Sequence, residues 1–167
     1  MELYILRHGL AEENGDPRFP DDSKRPLTEK GEEKLLAAAK AMQKLELEFE
    51  LILSSPFKRA SQTAEVIARK HSRSRLEFSD DLTPEGKPKK LIKQLQGLDG
   101  ESSVMLVGHE PYLSELISVL ISGDSDCGLK LKKGGLCKLA VEEIDLGQCA
   151  TLEWLLTPVQ MEKIAAS

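Results

Sequence analysis

The chain has 167 residues, a length that fits one domain, and its 40% hydrophobic and 31% charged residues, without a low-complexity tract, exclude intrinsic disorder. Its 23 basic residues stand against 28 acidic ones, a net charge of −5, which argues against a general nucleic-acid binder but leaves room for a local basic pocket. The apolar runs fall far short of the ~18 residues that span a bilayer, and Met1-Glu2-Leu3-Tyr4-Ile5-Leu6 lacks the features of a signal peptide, so no membrane association is expected. The expectation is a soluble, cytoplasmic, monomeric protein with one domain over residues 1–167. Cys127, Cys137 and Cys149 have no CxxC spacing and read as buried, reduced thiols, not as a disulfide framework or a zinc site.

Leu3 to Leu6 is a buried strand that empties into Arg7-His8-Gly9. Residues 10–27 form a long polar loop, of the kind that tends to be functional or mobile. Thr28 is the N-cap of a helix running to about Leu45, with Gly31 where a capping box would have Glu. Glu50 to Ser54 is a second strand, stopped by Ser55-Pro56, and a helix follows from about Phe57 to Lys70. Arg75 to Phe78 is a short strand, residues 80–88 a turn-rich loop, and Leu91, Ile92 and Leu95 mark a short helix closed by Gly97. Ser103 to Val107 is the strongest strand. Gly108-His109-Glu110 ends it, and Pro111 suits the first turn of the next helix. After a loop over 122–135, Leu136 to Ile144 and Cys149 to Thr157 alternate like two strands, with Leu146-Gly147-Gln148 between them, which suggests an antiparallel hairpin at a sheet edge. A weak helix starts at Val159. Strand–helix alternation followed by a hairpin predicts an α/β fold: three α/β/α layers around a mostly parallel sheet.

In such sheets ligands bind beyond the carboxyl ends of the strands. Arg7 and His8 follow the first strand, Arg59 lies in the first turn after the second, and His109 ends the main strand. Two arginines and two histidines on one rim point to an anion site, and the chemistry fits a phosphoryl group. Guanidinium forks make paired, charge-assisted bonds to phosphate oxygens, and a neutral imidazole of fixed tautomer is a competent nucleophile for phosphorus. Free N–H groups at the start of the Pro111 helix would add to the pocket.

Arg7-His8-Gly9 with Pro26-Leu27-Thr28-x-x-Gly31, then Ser54-Ser55-Pro56-Phe57-Lys58-Arg59-Ala60-Ser61-Gln62-Thr63-Ala64, then Gly108-His109-Glu110-Pro111, resemble in order the motifs of the histidine phosphatase, or phosphoglycerate mutase-like, superfamily. The small size, Leu82-Thr83-Pro84-x-Gly86 and Trp154-Leu155-Leu156-Thr157-Pro158 resemble its SixA branch, the phosphohistidine phosphatases. The resemblance implies that His8 is the nucleophile, that Arg7 and Arg59 bind the phosphoryl oxygens, and that His109 completes the pocket. It implies no metal and no cofactor, with a phosphohistidine-containing protein such as a phosphotransfer domain as partner.

Larger relatives carry an acid in a Leu-x-Glu motif, where Pro84 stands here. Without a proton donor an alkoxide leaves poorly, whereas a protonated imidazole leaves well, so the departure favours phosphohistidine over phosphate esters. If Glu85, Glu12 or Glu13 supplied the acid, a small-molecule phosphomonoesterase would be the alternative; a binding module without turnover is the third reading. His71 reads as a cap at a helix C-terminus and not as a metal ligand, and Ser54 and Ser55 as residues that shape the turn. Lys87-x-Lys89-Lys90 and Lys130-x-Lys132-Lys133 are solvated faces or a guide surface for an acidic phosphoprotein.

Overall fold

In the computed structural model, which describes residues 1–98 and 103–167, the apolar runs become the centre of a six-stranded sheet. β1 (Glu2–Arg7), β2 (Leu51–Ser54), β3 (Arg75–Phe78) and β4 (Ser103–Gly108) are parallel, and β5 (Leu136–Val141) and β6 (Ala150–Leu156) add an antiparallel hairpin. The order across the sheet is β3-β2-β4-β1-β5-β6. The helices are α1 (Glu29–Lys44), α2 (Lys58–Lys70), α3 (Pro88–Gln96), α4 (Tyr112–Ser122) and α5 (Pro158–Ala166).

Side chains alternate across a strand, so a strand covered on both faces is apolar at every position. Leu3 and Ile5 of β1 and Val104 and Leu106 of β4 pack with Leu91, Ile92 and Leu95 of α3 and with Leu113, Leu116 and Ile117 of α4. Tyr4, Leu6, Met105 and Val107 point the other way, onto Ala38 and Met42 of α1, Ala64 and Ile67 of α2, and Met161 of α5. The three layers are thus α3 and α4, the sheet, and α1, α2 and α5. Each fully buried leucine of this core contributes about 1.5–3 kcal/mol.

Thr28 caps α1 as expected, its hydroxyl accepting from Gly31 N at 3.0 Å. Gly31 is there for a packing reason: a Cβ on it would lie 2.1 Å from the Leu10 carbonyl oxygen. The long loop is fastened at that point, with Thr28 N donating to the same carbonyl at 3.0 Å.

Three local expectations are corrected. The first hairpin strand ends at Val141, not Ile144, because Ile144 turns into the core and its carbonyl accepts from Gln96 Nε2 at 2.9 Å; the connection is residues 142–149. The last helix starts at Pro158 and is well capped, since Thr157 and Gln160 bond each other reciprocally. Of the cysteines only Cys137 is buried, which pushes its thiol up to about 12; Cys127 is exposed and Cys149 half-buried. Among the described residues no helix is long and apolar enough to cross a membrane.

Candidate active site

The sheet register itself assembles the site. Arg7 pairs with Gly108 across β1 and β4, so His8 and His109, each the next residue along, stand side by side with ring centroids 5.2 Å apart. His8 N donates to the Gly108 carbonyl at 3.0 Å, extending the ladder one step past the strand. On the other side of β4, Ser55 N donates to the Val107 carbonyl at 2.9 Å, which starts the turn into α2 and carries Arg59 to the same rim. Arg7, His8, Arg59 and His109, the four residues singled out from the sequence, all line one open cleft of about 540 Å³.

His8 is buried and donates from Nδ1 to the Gly9 carbonyl at 2.8 Å. A carbonyl can only accept, so the proton sits on Nδ1 and Nε2 carries the lone pair. Gly9 is held in turn: its N–H donates to Thr63 Oγ1 at 3.1 Å, and that hydroxyl donates to the Arg59 carbonyl at 2.7 Å. Burial pushes His8 down to about 2, against the pull of the Gly9 carbonyl, and His109, Arg59 and Arg7 add to the shift. His109 is pushed down to about 3, by burial first and by Arg59 next. Both imidazoles are therefore neutral at physiological pH.

The arginines are positioned by carbonyls and carboxylates. Arg7 Nη1 donates to the Leu131 carbonyl at 2.9 Å, and Arg59 donates from Nη1 to the Asp22 carbonyl at 2.8 Å and from Nη2 to Asp22 Oδ2 at 3.0 Å. Burial lowers the pKa of both guanidiniums, opposed by Glu110 at Arg7 and by Asp22 at Arg59. The buried Nε atoms of Arg7 and Arg59 and the Nδ1 of His109 have no hydrogen-bond partner among the described residues. Polar atoms left free on two cations and an imidazole of one cleft suit a tetrahedral oxyanion.

Several residues of the site were not singled out from the sequence. Asp22 and Arg25 come from the long loop, where a short 3₁₀ turn over Asp22–Lys24 presents the Asp22 carboxylate to Arg59 and Arg25 together. Nothing in the sequence marks Asp22 among the loop's aspartates, and 37 residues separate it from Arg59. Ser55, in a quoted motif but read as a turn former, shares a 2.8 Å hydrogen bond with His109 Nε2. Phe57 packs against the His109 ring at 5.3 Å and under the Arg59 guanidinium at 5.4 Å. Lys133 lines the cleft and belongs to the second lysine cluster.

The start of α4 corrects a further expectation. Two of its N–H groups are already engaged: Leu113 N donates to the His109 carbonyl at 2.9 Å and Ser114 N to Glu110 Oε1 at 2.8 Å. The carboxylate of Glu110, two residues before the helix, does the capping and claims the positive end of the dipole. Pro84 lines the cleft, whereas Glu85 is exposed and does not. Glu12 and Glu13 do line it; Glu12 pairs with Arg18 at 3.1 Å, and Glu13 is exposed. His71 caps α2, donating from Nδ1 to the Ile67 carbonyl at 3.0 Å, and takes no part in the cleft.

Comparison with known proteins points to one family. The model of the histidine phosphatase superfamily (branch 1) matches residues 3–83. An uncharacterised protein of Picosynechococcus sp. is 37% identical over 141 residues, covering 83% of this chain and 84% of that one. The phosphohistidine phosphatase SixA of Escherichia coli K12 is 28% identical over 169 residues, 99% of each chain. Among solved structures, the protein histidine phosphatase SixA complexed with tungstate superposes with a TM-score of 0.84 at 29% identity, covering 96% of this chain and 99% of that one.

Proposed function

This chain belongs to the histidine phosphatase superfamily, as a SixA-like phosphatase, and from that premise we propose that it hydrolyses phosphohistidine on a signalling or phosphotransfer protein through a phospho-His8 intermediate. His8 Nε2, the lone-pair nitrogen, attacks phosphorus in line with the departing imidazole. The N–P bond to His8 forms as the substrate's P–N bond breaks, and the electron pair passes to the leaving imidazole, which takes a proton from solvent. Water then attacks the phosphorus, and the bond to His8 breaks to release inorganic phosphate. Arg7, Arg59 and His109 hold the phosphoryl oxygens through both steps, where fixed donors stabilise developing charge. The Nδ1–H bond to Gly9 leaves His8 no choice of tautomer, and burial keeps the nitrogen unprotonated.

One observation carries the choice of substrate: Pro84, not a carboxylate, is what the loop after β3 presents to the cleft. A placed general acid contributes typically about 10²–10⁴-fold, and an alkoxide needs it more than an imidazole does. The exposed lysines support a protein partner. Lys87, Lys89 and Lys90 begin α3, and Lys130, Lys132 and Lys133 precede β5, all at the cleft end of the sheet, where charge speeds the encounter with an acidic surface. A second reading, a small-molecule phosphomonoesterase, is favoured by Glu13, which lines the cleft and could protonate an ester oxygen.

Phosphate release from a phosphohistidine-bearing phosphotransfer domain and from a phosphoserine peptide tests the proposal, with His8→Ala as control and Glu13→Gln beside the wild type. Selective release from phosphohistidine, lost in His8→Ala and kept in Glu13→Gln, is expected. Ester hydrolysis of equal rate that collapses in Glu13→Gln would establish the second reading instead. Turnover retained by His8→Ala would remove His8 as the nucleophile.

A further inference from the structure

We infer that Ser55 is a positioning residue that fixes the tautomer of His109, donating its hydroxyl proton to Nε2 so that the imidazole presents an N–H from Nδ1 to the phosphoryl group. The inference rests on the reading of the cleft as a phosphoryl site and goes beyond it, because that reading leaves open which His109 nitrogen carries the proton.

Hydrogen-bond satisfiability sets the direction of the Ser55–His109 bond. Ser55 is fully buried, so its hydroxyl cannot turn to bulk water. The oxygen already accepts one bond, from Phe57 N at 3.2 Å. Its proton needs an acceptor, and the partner the structure provides is His109 Nε2 at 2.8 Å. A neutral imidazole has one donor and one acceptor nitrogen, so an accepting Nε2 puts the proton on Nδ1.

The opposite tautomer is disfavoured at two places. With the proton on Nε2, the Ser55 hydroxyl would be left buried without an acceptor, a cost of about 1–3 kcal/mol. The bare Nδ1 lone pair would then be the atom without a partner, and it would repel a phosphoryl oxygen in the place where a donor is needed. Neutrality of the ring, on which the argument depends, follows from its burial at 1% exposure beside Arg59 and its second ring contact with Phe57.

The two histidines are thus given opposite tasks by unlike partners. At His8 a backbone carbonyl takes the Nδ1 proton and frees Nε2 to attack; at His109 a serine hydroxyl occupies Nε2 and leaves Nδ1 as a donor. A carbonyl can only accept, whereas the buried Ser55 hydroxyl carries a proton for which His109 Nε2 is the acceptor within reach. Ser55 lies on the first turn position after β2, where the ladder bond from its N–H to Val107 fixes the backbone that aims the hydroxyl.

The test reads the tautomer directly and needs no phosphohistidine substrate, so its failure is separable from failure of the proposed reaction. Nitrogen-15 spectra of the histidine-labelled wild type at pH 7 should show His109 protonated at Nδ1 and bare at Nε2. In Ser55→Ala a mixture of tautomers is expected, with the affinity for inorganic phosphate, read by calorimetry, weakened by about ten- to a hundredfold, the worth of a hydrogen bond to a charged group. Ser55→Thr, which returns the hydroxyl, should restore both. A wild-type His109 protonated at Nε2 would overturn the inference, and that spectrum decides alone if Ser55→Ala does not fold. An unchanged tautomer and phosphate affinity in a folded Ser55→Ala, or equal losses in the alanine and threonine variants, would also overturn it and leave Ser55 a packing residue.

Discussion

Lowering the pH from 7 to 5 should destabilise this protein by several kcal/mol, and the two cleft histidines set the size of the effect. Burial holds His8 at about 2 and His109 at about 3, against an ordinary value of 6.5. As the pH falls through 6.5 the unfolded chain takes up protons at both positions and the folded chain does not. Stability is therefore untouched above that point and is lost steadily below it, until the folded values are reached. Each pH unit costs about 1.4 kcal/mol per group, so at pH 5 the loss is about 2 kcal/mol for each histidine and about 4 for the pair. That is a large part of the roughly 5–15 kcal/mol that holds a typical domain folded. The carboxylates with lowered values, Asp22 among them, begin to act only nearer their ordinary 3.8 and add little in this window. Urea unfolding followed by circular dichroism at pH 7, 6 and 5 measures the slope, and His8→Asn and His109→Asn should each remove about half of it. A wild-type unfolding free energy that changes by less than about 1 kcal/mol between pH 7 and pH 5 would show that the imidazoles are not held neutral by burial.

Two further changes test how the cleft is held. Gly31→Ala should lower stability by about 1–3 kcal/mol, read as a fall in Tm, because its Cβ would meet the Leu10 carbonyl oxygen at 2.1 Å and neither side of that contact is a movable side chain. In an unobstructed helix the same change raises stability, so an unchanged or higher Tm would dismiss the contact. Thr63→Val keeps the shape of the side chain but strands the buried Gly9 N–H, and should cost about 1–3 kcal/mol together with a fall in kcat, since Gly9 carries the carbonyl that orients His8. Thr63→Ser should recover kcat, and a valine variant of normal kcat would break the link between Thr63 and His8.

The sequence is legible where one residue decides its own surroundings. Leu3 to Leu6 and Val104 to Val107 are apolar at every position, which fits only a strand covered on both faces, and the parallel register of β1 and β4 then makes neighbours of His8 and His109. Arg59 is legible for a related reason: a cation in the first turn of a helix opposes the dipole unless something negative faces it. What faces it is Asp22, and that was not legible, because an exposed-looking loop aspartate reveals its role only when the loop folds over α2. The role of Glu110 was not legible either. Its proximity to His109 was plain, but the capping of α4 by its carboxylate depends on a bend of the backbone that no local pattern encodes. The extent of the hairpin failed on Ile144, whose alternation fits a strand and whose burial comes from the α3 side of the core instead.

The elements that escaped the sequence are mostly counter-charges and orienting groups, and there is a physical reason for the division. A buried arginine or histidine must be recruited by the fold at a cost in desolvation, which confines it to positions next to strand ends and helix starts, and such positions are patterned. Its partners need only reach it, from any loop of sufficient length. Asp22 and Glu110 lower that cost for Arg59 and Arg7, but among the described residues each guanidinium keeps a buried Nε unengaged, and His109 keeps its Nδ1. The counter-charges thus make the cationic cleft stable enough to exist without saturating it. On the proposed function, a phosphoryl group entering the cleft would meet donors whose desolvation has already been met during folding, so binding would need little reorganisation. The same burial that arranges this advantage keeps the Nε2 of His8 unprotonated at neutral pH and makes the folded chain sensitive to acid, three consequences of one desolvated cluster.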